Sequence, residues 1–152
     1  MASPFGFEQK RIMVLGGGLG MGEATVRLIA SHGAHVAVVD REPDRAEHVA
    51  AEIIAGGGTA AAYCIDVLDD AAVVAGIAQV EREFGPLDGM ATVIGMAAWG
   101  SLLEMDMATW DQDQNRNLRY FFLAAREVAR SMIARKAAGS IVCVGSVNGL
   151  LS

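Results

Sequence analysis

The residues best placed to do chemistry stand in one early run, Val14-Leu15-Gly16-Gly17-Gly18-Leu19-Gly20-Met21-Gly22, followed later by Asp40. Glycines let a backbone turn sharply and approach a phosphate with no Cβ in the way. A helix that opens directly after such a turn presents unpaired N–H groups and the positive end of its dipole, which suits a pyrophosphate. An acid roughly 20 residues beyond the turn can accept from the hydroxyls of an adenosine ribose. Asp40 ends the next apolar run and fills that place. The chemistry implied is capture of a dinucleotide.

The spacing narrows the choice. Gly16, Gly20 and Gly22 fit Gly-x-x-x-Gly-x-Gly, and no segment fits Gly-x-Gly-x-x-Gly. Gly17 and Gly22 have the spacing of a Walker loop, but Glu23-Ala24 stands where Lys and Ser/Thr must be. A methyltransferase-type Gly-x-Gly-x-Gly also fits, on Gly16, Gly18 and Gly20. A plain strand–helix turn is the fourth reading.

The elements that hold these residues alternate. Strands are predicted at 11–15, 35–40, 59–65, 87–94 and 140–144. Helices are predicted at 20–32, 43–55 (with Pro43 near its first position), from the Asp69 cap to about 84, and as one long helix at 108–136. Residues 96–107 read as a loop. Short apolar strands separated by helices indicate an α/β fold, a doubly wound parallel sheet covered on both faces. In the long helix, Leu118, Phe121, Phe122, Ala125, Val128, Ala129 and Met132 recur at helical spacing as an apolar stripe. Asn117 sits at its edge, either satisfied within the helix or held as a functional amide.

Bulk properties exclude several classes. The 152 residues are 53% hydrophobic and 20% charged, which fits one globular domain with a real core. A net charge of −6 argues against nucleic acid and against an anionic membrane surface. Apolar runs stop well short of a membrane span, and residues 1–11 show no apolar signal-peptide core. Cys64 and Cys143 lie in predicted buried strands and read as small core residues in a reducing cytoplasm. His32, His35 and His48 have no metal-ligand spacing, so no metal is expected.

Jointly these residues resemble the short-chain dehydrogenase/reductase family. Leu15 to Gly22 is similar to its Thr-Gly-x-x-x-Gly-x-Gly cofactor turn, Asp66-Val67 to its adenine clamp, and Asn117-Leu118 to the helix segment carrying its tetrad asparagine. Ile141 to Ser146 resembles the fifth strand leading to its catalytic serine. The resemblance implies a Rossmann-like sheet over residues 11–152, after a leader at 1–10. It implies hydride transfer between NAD and an alcohol or ketone, with NADP as the alternative cofactor. It makes Ser146 and Asn117 catalytic candidates. It makes Gly16, Gly18, Leu19, Gly20, Met21, Gly22, Asp40, Arg41, Asp66, Val67 and Gly95 cofactor candidates. It also implies a cytoplasmic homodimer or homotetramer. For Asp66 a turn-capping role stands beside the clamp, and for Ser146 a loop hydroxyl capping backbone groups.

Departures from the family pattern matter as much. Leu15 replaces the usual Thr, and Thr92-Val93-Ile94-Gly95 stands where Asn-Asn-Ala-Gly is usual. Arg119 and Tyr120 follow where a small residue is common. The Tyr-x-x-x-Lys pair does not occur in these 152 residues. The run from Gly145 to Ser152 therefore reads as cut in mid-motif after about the fifth strand, and this stretch alone is expected to be inactive. A non-catalytic dinucleotide module is the alternative. The loop residues Met96, Trp99, Leu102, Leu103, Met105 and Met107 are expected to pack on the domain, or else to serve an apolar substrate.

Overall fold

The protein is described here by a computed structural model covering residues 5–147. Five strands, β1 (Arg11–Leu15), β2 (His35–Asp40), β3 (Thr59–Cys64), β4 (Gly89–Thr92) and β5 (Ser140–Cys143), form one parallel sheet in the order β3-β2-β1-β4-β5. This is the doubly wound order. The chain winds from β1 out to β3, then crosses back to β4 on the other side of β1. Helices α1 (Gly20–Ser31), α2 (Pro43–Ala55), α3 (Asp70–Glu83), α4 (Met107–Gln114) and α5 (Tyr120–Ala134) make the crossovers.

Alternation along the strands sorts the two cores, because successive side chains point to opposite faces. Val14, Val36 and Val38 pack against Val26 and Ile29 of α1 and Val49 and Ile53 of α2. Met13, Leu15 and Val39 pack on the other face against Val73, Ile77 and Val80 of α3 and Val128 and Met132 of α5. Each fully buried valine or leucine of this kind stabilises the fold by about 1.5–3 kcal/mol. Local chemistry sets the boundaries. Pro43 occupies the first turn of α2, and the Asp69 carboxylate accepts from the Ala71 and Ala72 amides at 2.8 and 3.1 Å to open α3.

Three expectations are corrected. Cys64 and Cys143 are both exposed, because each lies on an edge strand of the described sheet and not in its centre. Within the loop at 96–106, Trp99, Leu102 and Leu103 do not pack on the domain but are nearly fully exposed. The long helix is interrupted by a π segment, Asn115–Arg119, in which the Tyr120 N–H bonds to the Asn115 carbonyl five residues back. Its buried side chains are Tyr120, Leu123, Ala124, Val128 and Met132, whereas Leu118 and Phe122 of the predicted stripe are exposed. The helix is apolar on two faces, and periodicity alone cannot say which one meets the sheet. Ahead of β1, the Gln9 N–H donates to the Gly33 carbonyl at 2.9 Å.

The tightest point of the fold is where α1 meets the end of β1. A Cβ on Gly22 would overlap the Gly16 carbonyl. Gly22→Ala is therefore expected to destabilise the domain by about 3 kcal/mol. Gly100→Ala, in open space, should stay within about 0.5 kcal/mol. Denaturant melts of both variants check this, and equal stability of the two would contradict it.

Candidate functional site

The carboxyl ends of β2, β1 and β4 open on one cleft of about 400 Å³. In an open parallel sheet this is where strand order reverses, and ligands bind there. Six of the expected cofactor residues line it: Gly16, Asp40, Arg41, Asp66, Val67 and Gly95. Gly18, Leu19, Gly20, Met21 and Gly22 do not line the cleft itself. They form the adjoining turn and the start of α1. Gly16 takes φ +79°, a conformation that favours glycine. The Gly16 and Gly17 N–H groups donate to the Val39 carbonyl at 2.8 and 2.9 Å, which stitches the turn to β2. Leu19 occupies the N-cap position of α1 and makes no side-chain capping bond, so the amides of the first turn are uncapped from within the helix.

Asp40 is held by its own surroundings. One carboxylate oxygen accepts from the Gly18 N–H at 3.1 Å and the other from the Glu42 N–H at 3.1 Å. A carboxylate accepts about four hydrogen bonds, so capacity remains for two ribose hydroxyls. The Asp66 carboxylate accepts from Leu68 N–H at 2.9 Å, and its carbonyl takes the Asp69 N–H at 3.2 Å. It thus makes the local turn contacts and lines the cleft as well. Arg41 lies 3.3 Å from Glu42. Sequence reasoning missed Arg45 and Arg116, which also line the cleft and, among the described residues, form no ion pair. Nothing in their spacing marks them, because α2 and the π segment come to the same cleft only in the fold.

The opposite wall, Ile94 to Met96, is tied to the helix behind it. The Asn117 carboxamide accepts from the Met96 N–H at 3.0 Å and donates to the Met96 carbonyl at 2.8 Å and the Asp113 carbonyl at 2.9 Å. Asn117 is exposed, and its carboxamide bonds both its own helix and the loop. The Asp113 carboxylate accepts from the Ala98 N–H at 2.8 Å. Deeper in, the Tyr120 hydroxyl lies 2.6 Å from the Thr92 hydroxyl and donates to the Ile94 carbonyl at 2.9 Å. Burial pushes the Tyr120 phenol above its ordinary range, so it stays protonated as a donor. This contact holds the segment in which the family's asparagines are replaced. Ser146 is exposed, three residues beyond β5, and outside the lining of the cleft. Among the described residues no group of three or more His, Cys, Asp or Glu could hold a metal, and no helix is long and apolar enough to cross a membrane.

The family model for short chain dehydrogenase matches residues 10–152. The chain belongs to the short-chain dehydrogenase family. It is 38% identical over 141 residues to a 2,3-dihydro-2,3-dihydroxybenzoate dehydrogenase of Bacillus subtilis, covering 93% of this chain and 54% of that one. It is 39% identical over 131 residues to the inactive 2-(S)-hydroxypropyl-CoM dehydrogenase 2 of Xanthobacter autotrophicus, covering 86% and 54%. A short-chain type dehydrogenase/reductase from Mycobacterium marinum superposes with TM-score 0.91 at 29% identity, over 97% of this chain and 60% of that one. The chain thus spans about half the length of the curated relatives it matches. Membership displaces the methyltransferase and Walker-loop readings of the glycine turn.

If Asn117 fastens the loop to the helix, Asn117→Ala should free the Met96 N–H. Its amide exchange should then speed by about tenfold or more, with a global stability loss of roughly 1–3 kcal/mol. Site-resolved hydrogen exchange measures this, and an unchanged Met96 rate would contradict it.

Proposed function

We propose that this chain is the cofactor-binding part of a dehydrogenase or reductase that passes hydride between NAD and an alcohol or ketone carbon. One observation carries the reading: the uncapped start of α1, packed too closely on Gly16 for any Cβ, opens beside a cleft lined by Asp40, whose carboxylate accepts from the Gly18 N–H of the same turn. The residues present fit the cofactor. The first-turn amides of α1 and the positive end of its dipole would face the diphosphate. Asp40 would accept from the adenosine ribose, with Asp66 and Val67 beside the adenine. Gly95 would border the nicotinamide. When bound, NAD supplies the hydride acceptor, and NADH the donor. The chain's own work is to orient the two halves of the cofactor across β1 and to keep the wall at 94–96 fixed. Ser146 would hold the substrate oxygen and Asn117 would support the proton-transfer pair, which these 152 residues do not supply.

NAD is favoured over NADP because the Asp40 carboxylate would repel a 2′-phosphate. Arg41 and Arg45 beside it temper that preference, since a guanidinium pairs well with phosphate. The exposed apolar side chains Leu118 of the π segment and Phe122 and Ile133 of α5 suit a homodimer or homotetramer of the full protein. Two free thiols suit a reducing cytoplasm.

A second reading is a non-catalytic dinucleotide-binding module. The likeness to the inactive Xanthobacter protein and the replacement of Asn-Asn-Ala-Gly favour it. Reading the coding frame past Ser152 separates the two, because an in-frame Tyr-x-x-x-Lys supports the enzyme.

Cofactor choice gives the sharper test. Asp40→Ala should shift the ratio of NADP to NAD affinity by at least about tenfold toward NADP. Parallel calorimetric titrations measure it, and an unchanged ratio would remove Asp40 as the discriminator.

A further inference from the structure

Among the described residues, Thr92 is the one buried polar side chain, and Tyr120 is the largest side chain that is fully buried. They meet each other. The Tyr120 hydroxyl has a single proton, which it gives to the Ile94 carbonyl. The Thr92 hydroxyl at 2.6 Å must then donate to the phenol oxygen. The result is a directional relay, Thr92 to Tyr120 to Ile94. An apolar pair in this space would leave the part-buried Ile94 carbonyl without this donor. The two buried hydroxyls together hold the Ile94 carbonyl in one direction.

The wider geometry says why they would. Asp113, Asn117 and Tyr120 recur at helical spacing and bond the backbone of Ala98, Met96 and Ile94 in turn. Asp113 to Asn117 is four residues, about 6 Å of helical rise, and Asn117 to Tyr120 is three, about 4.5 Å. Two extended residues rise about 6.6 Å. One helix face therefore keeps step with alternate residues of the segment after β4, running antiparallel to it. Tyr120 is the innermost rung, and its partner forms part of the cleft. The Ile94 side chain lies over the glycine turn, where a Cβ on Gly16 would fall 2.7 Å from Ile94 Cγ1. This wall is on the β4 side of the cleft, across β1 from Asp40.

We propose that Tyr120, oriented by Thr92, is a positioning residue that fixes the β4-side wall of the cleft and so sets affinity for the non-adenine half of a bound dinucleotide. The proposal rests on the dinucleotide reading above. It separates Tyr120 from the residues that meet the adenosine half, Asp40 and Asp66, which lie on the other side of β1.

The test is calorimetric titration of the chain with NADH and, separately, with ADP, which lacks the nicotinamide half. Tyr120→Phe should weaken NADH about 5- to 20-fold while ADP affinity stays within about twofold. Thr92→Val, which leaves the Tyr120–Ile94 bond in place, should shift NADH in the same direction by a smaller factor and keeps the test open if the phenylalanine variant fails to fold. Thr92→Ser retains the hydroxyl and should retain NADH affinity. NADH affinity unchanged in Tyr120→Phe or in Thr92→Val would overturn the proposal. A parallel loss of ADP affinity would also overturn it, since that marks general loosening. If the unsubstituted chain binds ADP but gains nothing from the nicotinamide half, the proposal fails and the adenosine site stands. If it binds neither ligand, the dinucleotide reading fails with it.

Discussion

Helix α1 must start closer to the end of β1 than any side chain allows. The Gly16 carbonyl occupies the space a Cβ of Gly22 would need, so the turn, the helix and the strand can share one point only if that residue is glycine. Much else follows from this contact. It aims the first amides of α1 across the carboxyl end of the sheet. It brings Gly18 within hydrogen-bonding distance of Asp40, and it lets Gly16 and Gly17 fasten to β2. The cleft is the space left over when these groups are held in place. Its lining carries two carboxylates, Asp40 and Asp66, among three guanidiniums, Arg41, Arg45 and Arg116.

The second wall is built differently. On the β2 side the sheet itself carries the functional groups. On the β4 side the strand ends at Thr92 and the chain continues without regular secondary structure. It must therefore borrow rigidity from the helix behind it. The π segment widens that helix where Asn117 reaches out to both polar atoms of the Met96 backbone. Helical turns widened in this way are found mostly at functional sites. The price is an exposed apolar loop just beyond, from Trp99 to Leu103, which the domain does not cover.

The sheet was legible from the sequence because its strands are short, apolar and punctuated by glycine, proline or acid caps. β1, β2 and α2 begin and end where the pattern says, and Asp69 caps α3 as its type suggests. Features that depend on contacts between distant elements were not legible. Edge position, not strand composition, decides that Cys64 and Cys143 are exposed. The two apolar faces of α5 look alike in sequence, and only the neighbouring sheet selects Tyr120, Leu123 and Ala124 as the inner one. Arg45 and Arg116 belong to the cleft for the same reason. Tyr120 was visible as a departure from the family pattern, but its role needed Thr92 and Ile94, which lie 28 and 26 residues away.

The central claim is that the amides opening α1 receive the diphosphate of a dinucleotide while Asp40 receives its ribose. An amide-resolved NMR titration of the chain with NADH tests it directly. Saturable shifts should concentrate at the backbone N–H groups of residues 18–22 and around Asp40, with smaller changes at 94–96. Shifts confined to surfaces away from the carboxyl ends of β1 and β2, or none at millimolar NADH, would contradict it.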